Sequence, residues 1–258
     1  METDQIRSTL HAVAEEYPDG LKQHQHKDVD RIAFNIQLTL RTVGSSVGST
    51  RVCDVGGGVG LFSLGCAALG FESVILVDDF GDGVNQRYNR DILDIHRSYG
   101  VSVRKRDVLE EGAGKFKDDL DVVTSFDTME HLHHSPKNLF RNLLQSLRPG
   151  GGFVLGVPNC INLRKRLTVP FGYGKWSSME EWYEADTFRG HVREPDVQDL
   201  RYIADDLNLE DPRVYGRNWM GHRSSNRAVQ IATQLVDWAL RYRPSLCSNI
   251  YLSGRCPE

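Results

Sequence analysis

No stretch of the 258 residues approaches 18 consecutive apolar positions, so none is built to span a bilayer as a helix. The amino-terminal residues lack the short apolar run of a secretory signal, and the expected location is the cytoplasm. Cysteine is scarce. Cys53, Cys66, Cys160, Cys247 and Cys256 are odd in number and never in C-x-x-C spacing, which excludes a disulfide frame or zinc knuckle and leaves reduced thiols. An excess of positive charge is also missing: 31 Lys and Arg stand against 35 Asp and Glu, a formal charge of −4. No global field therefore draws the chain to nucleic acid or to an anionic membrane. Internal repeats and low-complexity tracts are absent as well, which excludes solenoids and linker-like proteins.

What remains is ordinary globular composition, 40% hydrophobic and 26% charged. The length suits one large α/β domain over residues 1–258, with an embellishment. Arg51-Val-Cys-Asp-Val-Gly-Gly-Gly-Val-Gly60 is its organising stretch. Val52, Cys53 and Val55 read as a buried parallel strand, the glycines as a tight turn, and a helix is expected from Leu61. Strand, glycine turn and helix make a nucleotide site at the carboxyl edge of a doubly wound sheet. The dinucleotide spacing G-x-G-x-x-G/A fails here, because Ser63 stands where its last glycine should be. What fits is an acid inside the strand followed by alternate glycines: Asp54, Gly56, Gly58, Gly60. A carboxylate there repels a pyrophosphate and holds a ligand that carries an ammonium group.

Residues 1–43 read as two helices. Ile6, Leu10, Val13 and Ala14 give one apolar face, Tyr17-Pro18-Asp19-Gly20 breaks it, and a second face (Ile32, Ile36, Leu40, Val43) begins near Asp28. His24 and His26 fall in the connection, as solvated loop residues or as part of a flap over the site. After the glycine turn and its helix, residues 74–79 form a second strand ending in Asp78 and Asp79. An acid at that point accepts the ribose hydroxyls of an adenosine, and Asp78, directly after the apolar run, is the stronger candidate. A helix over 84–99, a short strand over 101–103, then Arg106-Asp107-Val108 follow. A fourth strand, 121–126, runs into Asp127-Thr-Met-Glu-His-Leu-His-His134, and Ser135-Pro136 opens a helix toward Leu147-Arg-Pro-Gly-Gly-Gly152. A fifth strand over 153–157 closes on Pro158-Asn159.

These motifs in this order resemble the class I S-adenosylmethionine-dependent methyltransferases, in particular the small-molecule O-methyltransferase branch that includes the ubiquinone-pathway enzymes. The resemblance implies a Rossmann-like, seven-stranded, mostly parallel α/β sheet with helices on both faces. It implies S-adenosylmethionine as cofactor, contacted by Asp54, Gly56, Gly58, Gly60, Asp78, Asp79, Asp107, Val108 and Phe126. In that branch an acid-x-x-Glu-His segment accompanies a metal dependence. Asp127, Glu130 and His131 match it, with Asp where the branch usually has Glu.

From the residues themselves, Asp127, Glu130 and His131 sit at i, i+3 and i+4, so a helical turn would put all three on one face, able to hold Mg²⁺ or Mn²⁺. The other reading is that they only shape the pocket. His133, His134 and His191 are candidate general bases, since neutral imidazole suits proton transfer near pH 7. His191 belongs to a His-x-Arg segment that recurs near the substrate entrance of the resembled branch. Residues 160–195 interrupt the alternation and are read as a substrate lid, with Trp176, Trp182 and Tyr183 as apolar walls. Arg164-Lys165-Arg166 in that segment reads as a solvated helix face or as a contact to an anionic surface. A helix over 196–207, a strand over 213–215, an amphipathic helix over 226–242 and an antiparallel strand over 249–253 complete the chain.

The expected function is methyl transfer to a hydroxyl of a small acceptor, a sugar or a phenol. Two alternatives stay open: methylation of a small-molecule nitrogen, and a cofactor-binding sensor or partner subunit without catalysis. Nucleic acid is not an expected partner. Peripheral contact with a membrane and pairing of two copies are left open.

Overall fold

A computed structural model describes residues 1–81, 83–108, 120–173 and 177–257. Trp176 lies outside them. Two helices, α1 (Thr3–Glu15) and α2 (Asp19–Val43), precede β1 (Arg51–Val55), α3 (Leu61–Ala68), β2 (Ser73–Asp78), α4 (Gly83–Ser98) and β3 (Ser102–Lys105). The second half runs β4 (Leu120–Phe126), α5 (Lys137–Leu144), β5 (Leu147–Pro158), α6 (Leu163–Thr168), α7 (Met179–Tyr183), α8 (Val197–Asp206), β6 (Glu210–Arg217), α9 (Trp219–His222), α10 (Arg227–Leu240) and β7 (Asn249–Arg255).

The strands form one sheet in the order β3-β2-β1-β4-β5-β7-β6. All neighbours are parallel except β7, which runs antiparallel to both β5 and β6. The strand order reverses between β1 and β4, the crevice where doubly wound sheets place their ligands. Successive β1 residues alternate faces. Val52 joins a core under α1, α2 and α3 with Ile6, Leu10, Ile36 and Leu64. Cys53 and Val55 join the opposite core with Leu139, Leu143, Phe153 and Leu200 from α5, β5 and α8. Asp54, two residues after Val52, therefore points to the side that α2 covers.

The break at Tyr17-Pro18 falls where the sequence places it, but α2 is a single helix from Asp19, not one beginning near Asp28. The segment holding His24 and His26 is helical. Its buried positions include Gln25, Asp28 and Asn35, polar groups turned toward the site, and these interrupt the apolar period that would have shown the helix. β5 begins at Leu147, so the Pro149–Gly152 segment is strand and not a turn before it. A Cβ on Gly152 would lie 2.9 Å from Thr42 Cγ2, so glycine there lets α2 settle on the sheet. No helix among the described residues is long and apolar enough to cross a membrane.

Candidate active site

At the carboxyl edge the chain leaves β1 through Gly56, Gly58 and Gly60, all with φ between 54° and 74°. Glycine is required for space as well as for that left-handed backbone. A Cβ on Gly56 would collide with the Thr128 side chain, and one on Gly57 with the Asp54 carboxylate. Tyr17 Oη donates to Val59 O at 2.6 Å, tying the turn between α1 and α2 onto the loop.

Asp54 is 1% exposed and accepts hydrogen bonds from Ser63 Oγ (2.8 Å) and Thr124 Oγ1 (3.1 Å). Burial pushes its carboxyl up to about 7; the two hydroxyls oppose that rise and nearby Asp78 adds to it. Asp78 accepts Gly58 N–H (2.8 Å) on one oxygen and Phe80 N–H (2.6 Å) on the other, so it also braces the glycine turn. Asp79, half-buried, accepts Gly81 N–H at 2.6 Å and pairs with Arg189 at 3.2 Å.

Two cavities meet here. One, about 490 Å³, is lined by Asp54, Gly60, Phe126, Asp127 and the inner face of α2. The other, about 470 Å³, is lined by Asp78, Asp79, Asp107, Val108 and Thr128. They share Gly56, Gly58 and Asp127 and form one groove. All nine residues assigned to the cofactor lie along it.

α2 adds groups that the sequence reading did not assign. Arg31 pairs with Asp127 and, at 2.8 Å, with Asp28; Arg223 reaches the other Asp28 oxygen at 2.5 Å. Arg31 Nε and Asn35 Oδ1 are buried without a hydrogen-bond partner among the described residues. A signal for them exists in the sequence: His24, Asp28, Arg31 and Asn35 recur at i, i+4, i+7 and i+11, a polar stripe on one helix face.

After β4 the expected helical turn does not start at Asp127. That residue takes φ 52°, its N–H bonds Gly156 O at 2.8 Å, and only Met129–His131 form a short 3₁₀ turn. Asp127, Glu130 and His131 thus do not share a helix face, because the left-handed residue redirects the chain and Arg31 claims the Asp127 carboxylate. His191 comes in instead. Ligand atoms of Glu130, His131 and His191 all lie within 4.8 Å of one another. The backbone fastens the two segments together, with Val192 N–H donating to Glu130 O at 2.7 Å.

The ring orientations are set from outside. His131 Nδ1 lies 2.8 Å from Arg189 O, and His191 Nδ1 lies 2.8 Å from a Glu194 carboxylate oxygen. Each Nδ1 faces an acceptor and carries the proton, so each Nε2 presents a lone pair. Lys165, buried, pairs with Glu194. This corrects the solvated reading of the basic patch at its central residue. Burial pushes the Glu194 carboxyl up, but its bonds to His191 and Lys165 outweigh that and hold it below the usual range. Burial also holds His131 below an ordinary imidazole. Glu130 is 1% exposed, its Oε2 has no hydrogen-bond partner among the described residues, and burial first, then Asp127, push its carboxyl well up. One unpartnered buried carboxylate oxygen and two imidazole nitrogens fit a divalent cation by donor chemistry.

Of the other candidate bases, His133 Nε2 bonds Phe188 O at 2.9 Å and lines the second cavity, while His134 is exposed. Neither joins Glu130. Trp182 and Tyr183 face solvent and line neither groove cavity; the lid segment reaches the groove instead through Thr187 and Arg189, which line the second cavity.

A methyltransferase domain family model matches residues 24–212. No curated protein sequence matches the chain. Among solved structures, phosphoethanolamine N-methyltransferase 2 of Haemonchus contortus, held with phosphomonomethylethanolamine and S-adenosylhomocysteine, is 17% identical with a TM-score of 0.56. The match covers 87% of this chain and 53% of that one, so this chain spans about half of it. A Thermotoga maritima S-adenosylmethionine-dependent methyltransferase is 14% identical over 95% of this chain and 99% of that one, TM-score 0.55. A sarcosine dimethylglycine methyltransferase candidate from Galdieria sulphuraria is 13% identical over 93% and 91%, TM-score 0.55. At these identities the likeness shows the fold alone.

Proposed function

The chain belongs to the class I S-adenosylmethionine-dependent methyltransferases, matched as a methyltransferase domain over residues 24–212, and on that premise we propose that it methylates a hydroxyl oxygen of a small acceptor, a sugar or a phenol. The observation that carries this reading is the convergence of Glu130, His131 and His191 beside Asp127, with two lone-pair nitrogens and an unpartnered carboxylate oxygen. A small-molecule amine can be methylated without such groups, whereas a hydroxyl needs help to lose its proton.

In the transfer, the bond from methyl carbon to sulfur breaks as the bond to acceptor oxygen forms, and the sulfur keeps the electron pair. The sulfonium is already a good leaving group. What the protein contributes is alignment, about 7–11 kcal/mol at most, and a destination for the hydroxyl proton, about 10²–10⁴-fold in rate. His131 or His191 Nε2 can take that proton, because each ring is held by its Nδ1–H. Glu130, His131 and His191 would alternatively hold Mg²⁺ or Mn²⁺, which lowers the pKa of a bound hydroxyl. Asp54 would hold the cofactor's ammonium, Arg31 Nε its carboxylate, and Asp78 or Asp79 the ribose.

The test is release of S-adenosylhomocysteine with sugars, catechols and amines offered in parallel, with and without chelator. Turnover confined to hydroxylated acceptors supports the reading. Turnover of amines alone, indifferent to Glu130→Gln, would overturn it. We also assign residues 160–195 as the acceptor's cover. Trimming the exposed part of the segment, residues 177–186, should then lower turnover while cofactor affinity is unchanged, since none of these residues lines the groove. Equal loss of both would make the segment structural.

A further inference from the structure

Helix α10 is inside out. Asp237 is its one buried residue, 4% exposed, and is bound by Asn218 Nδ2 (2.8 Å), His222 Nε2 (3.3 Å) and Arg241. Its apolar stripe points the other way: Ile231 is 49% exposed, Leu235 69%, Trp238 68%, and Tyr242 just beyond the helix 80%. These positions, i, i+4, i+7 and i+11, lie on one face of a helix. An amphipathic helix of a soluble domain normally turns that face inward. Here it is anchored by its acid and offers its apolar side to the outside.

The stripe runs at Tyr242 into a cavity of about 720 Å³ on a different part of the surface from the cofactor groove, lined in part by Arg166, Arg201 and Arg243. Its acids are Asp196 and Asp205. Asp196 is committed to capping α8, accepting Gln198 and Asp199 N–H at 2.7 and 3.0 Å. Arg201 and Arg243 make no ion pair among the described residues, and neither does Arg227, one turn before Ile231 on the stripe's own face. Arg227 lies in the first turn of α10, where the helix dipole disfavours a cation. So a chain of net charge −4 carries a local surface of aliphatic and aromatic side chains with unpaired arginines at both ends.

We propose that α10 and the adjoining arginine cavity dock the enzyme on an anionic lipid surface. Trp, Tyr and Leu enter the boundary between headgroups and acyl chains, and the arginines meet lipid phosphates. Charge decides against a second copy of this chain. Two stripes packed antiparallel would bring Arg227 of one toward Arg243 of the other, and the helix has no exposed acid to answer them.

The experiment is flotation of the full chain with phosphatidylcholine vesicles, with and without about a third phosphatidylglycerol. Binding should require phosphatidylglycerol, weaken in high salt, and blue-shift a tryptophan emission that Trp238→Phe removes. Leu235→Glu, and Arg201→Glu with Arg243→Glu, should each weaken it about tenfold or more. Affinity for S-adenosylhomocysteine, measured on every variant, should be unchanged because α10 does not line the groove. Failure to bind phosphatidylglycerol vesicles overturns the proposal, as does binding that these substitutions leave intact. So does binding of inorganic phosphate with vesicles ignored, or a dimer that Leu235→Glu dissociates while vesicles have no effect.

Discussion

Asp54→Asn should weaken S-adenosylmethionine binding about 100-fold, because truncating one side of a buried charged pair typically costs ~2–5 kcal/mol. The substitution is nearly isosteric. The remaining oxygen can still accept from Ser63 or Thr124, so the fold should survive, but the amide's N–H groups would face the cofactor's ammonium. The pH dependence gives a second signature. Folding raises this carboxyl to about 7, above the ~3.9 of a free aspartate, so between those values the folded chain holds more protons than the unfolded one. Stability therefore falls as pH climbs from about 4 to about 7 and levels off above, by at most ~4 kcal/mol for this residue. The cofactor's ammonium needs the ionised form, so affinity should rise over the same interval and flatten above it. Calorimetric titration of wild type and Asp54→Asn across pH checks both. A flat wild-type profile, or an Asn variant with wild-type affinity, would remove Asp54 from the ammonium site.

How much of this was readable beforehand depends on how local each signal is. The glycine turn and its acid are consecutive in sequence, and sterics demand them, since a Cβ on Gly57 strikes Asp54 itself. They could be read directly. The sheet order followed because alternating strands and helices leave few topologies. The unbroken α2 was hidden, because Gln25, Asp28 and Asn35 are buried for the sake of the site and disturb the apolar period. Asp127 was misplaced for a related reason. Its left-handed backbone has no sequence signature, and the arginine that takes its carboxylate lies 96 positions earlier. His191 was recognised by its motif, but its meeting with Glu130 is a tertiary event, made by Val192 N–H on Glu130 O. In α10 the stripe was legible and its direction was not, because period reports that a helix has two faces and not which one is covered.

Glu130→Gln should lower the turnover rate about 10²–10⁴-fold while changing cofactor affinity little. Glu130 does not line either groove cavity, which is why the two readouts separate. The amide keeps the shape and the backbone link through Val192 and Arg193, but it removes the acidic oxygen that has no partner among the described residues. Stability should move the other way. Burial raises this carboxyl, so the folded chain resists its ionisation, and stability is lost as pH rises above the ordinary glutamate value. Gln has no proton to lose, so the variant should melt higher than wild type near neutral pH, and its pH slope should lack the share that Glu130 contributes. Slower turnover together with a raised melting temperature is a combination that a damaged fold cannot produce. Chelator then divides the two chemistries. If wild-type turnover falls with chelator and returns with Mg²⁺ or Mn²⁺, Glu130, His131 and His191 act as ligands, and the variant should show no metal response. If chelator has no effect, one imidazole is the base, and the rate should climb through an apparent pKa that is missing from either His131→Ala or His191→Ala. Turnover within a few-fold of wild type in Glu130→Gln and both His variants would leave the cluster as scaffolding and place the proton's destination elsewhere.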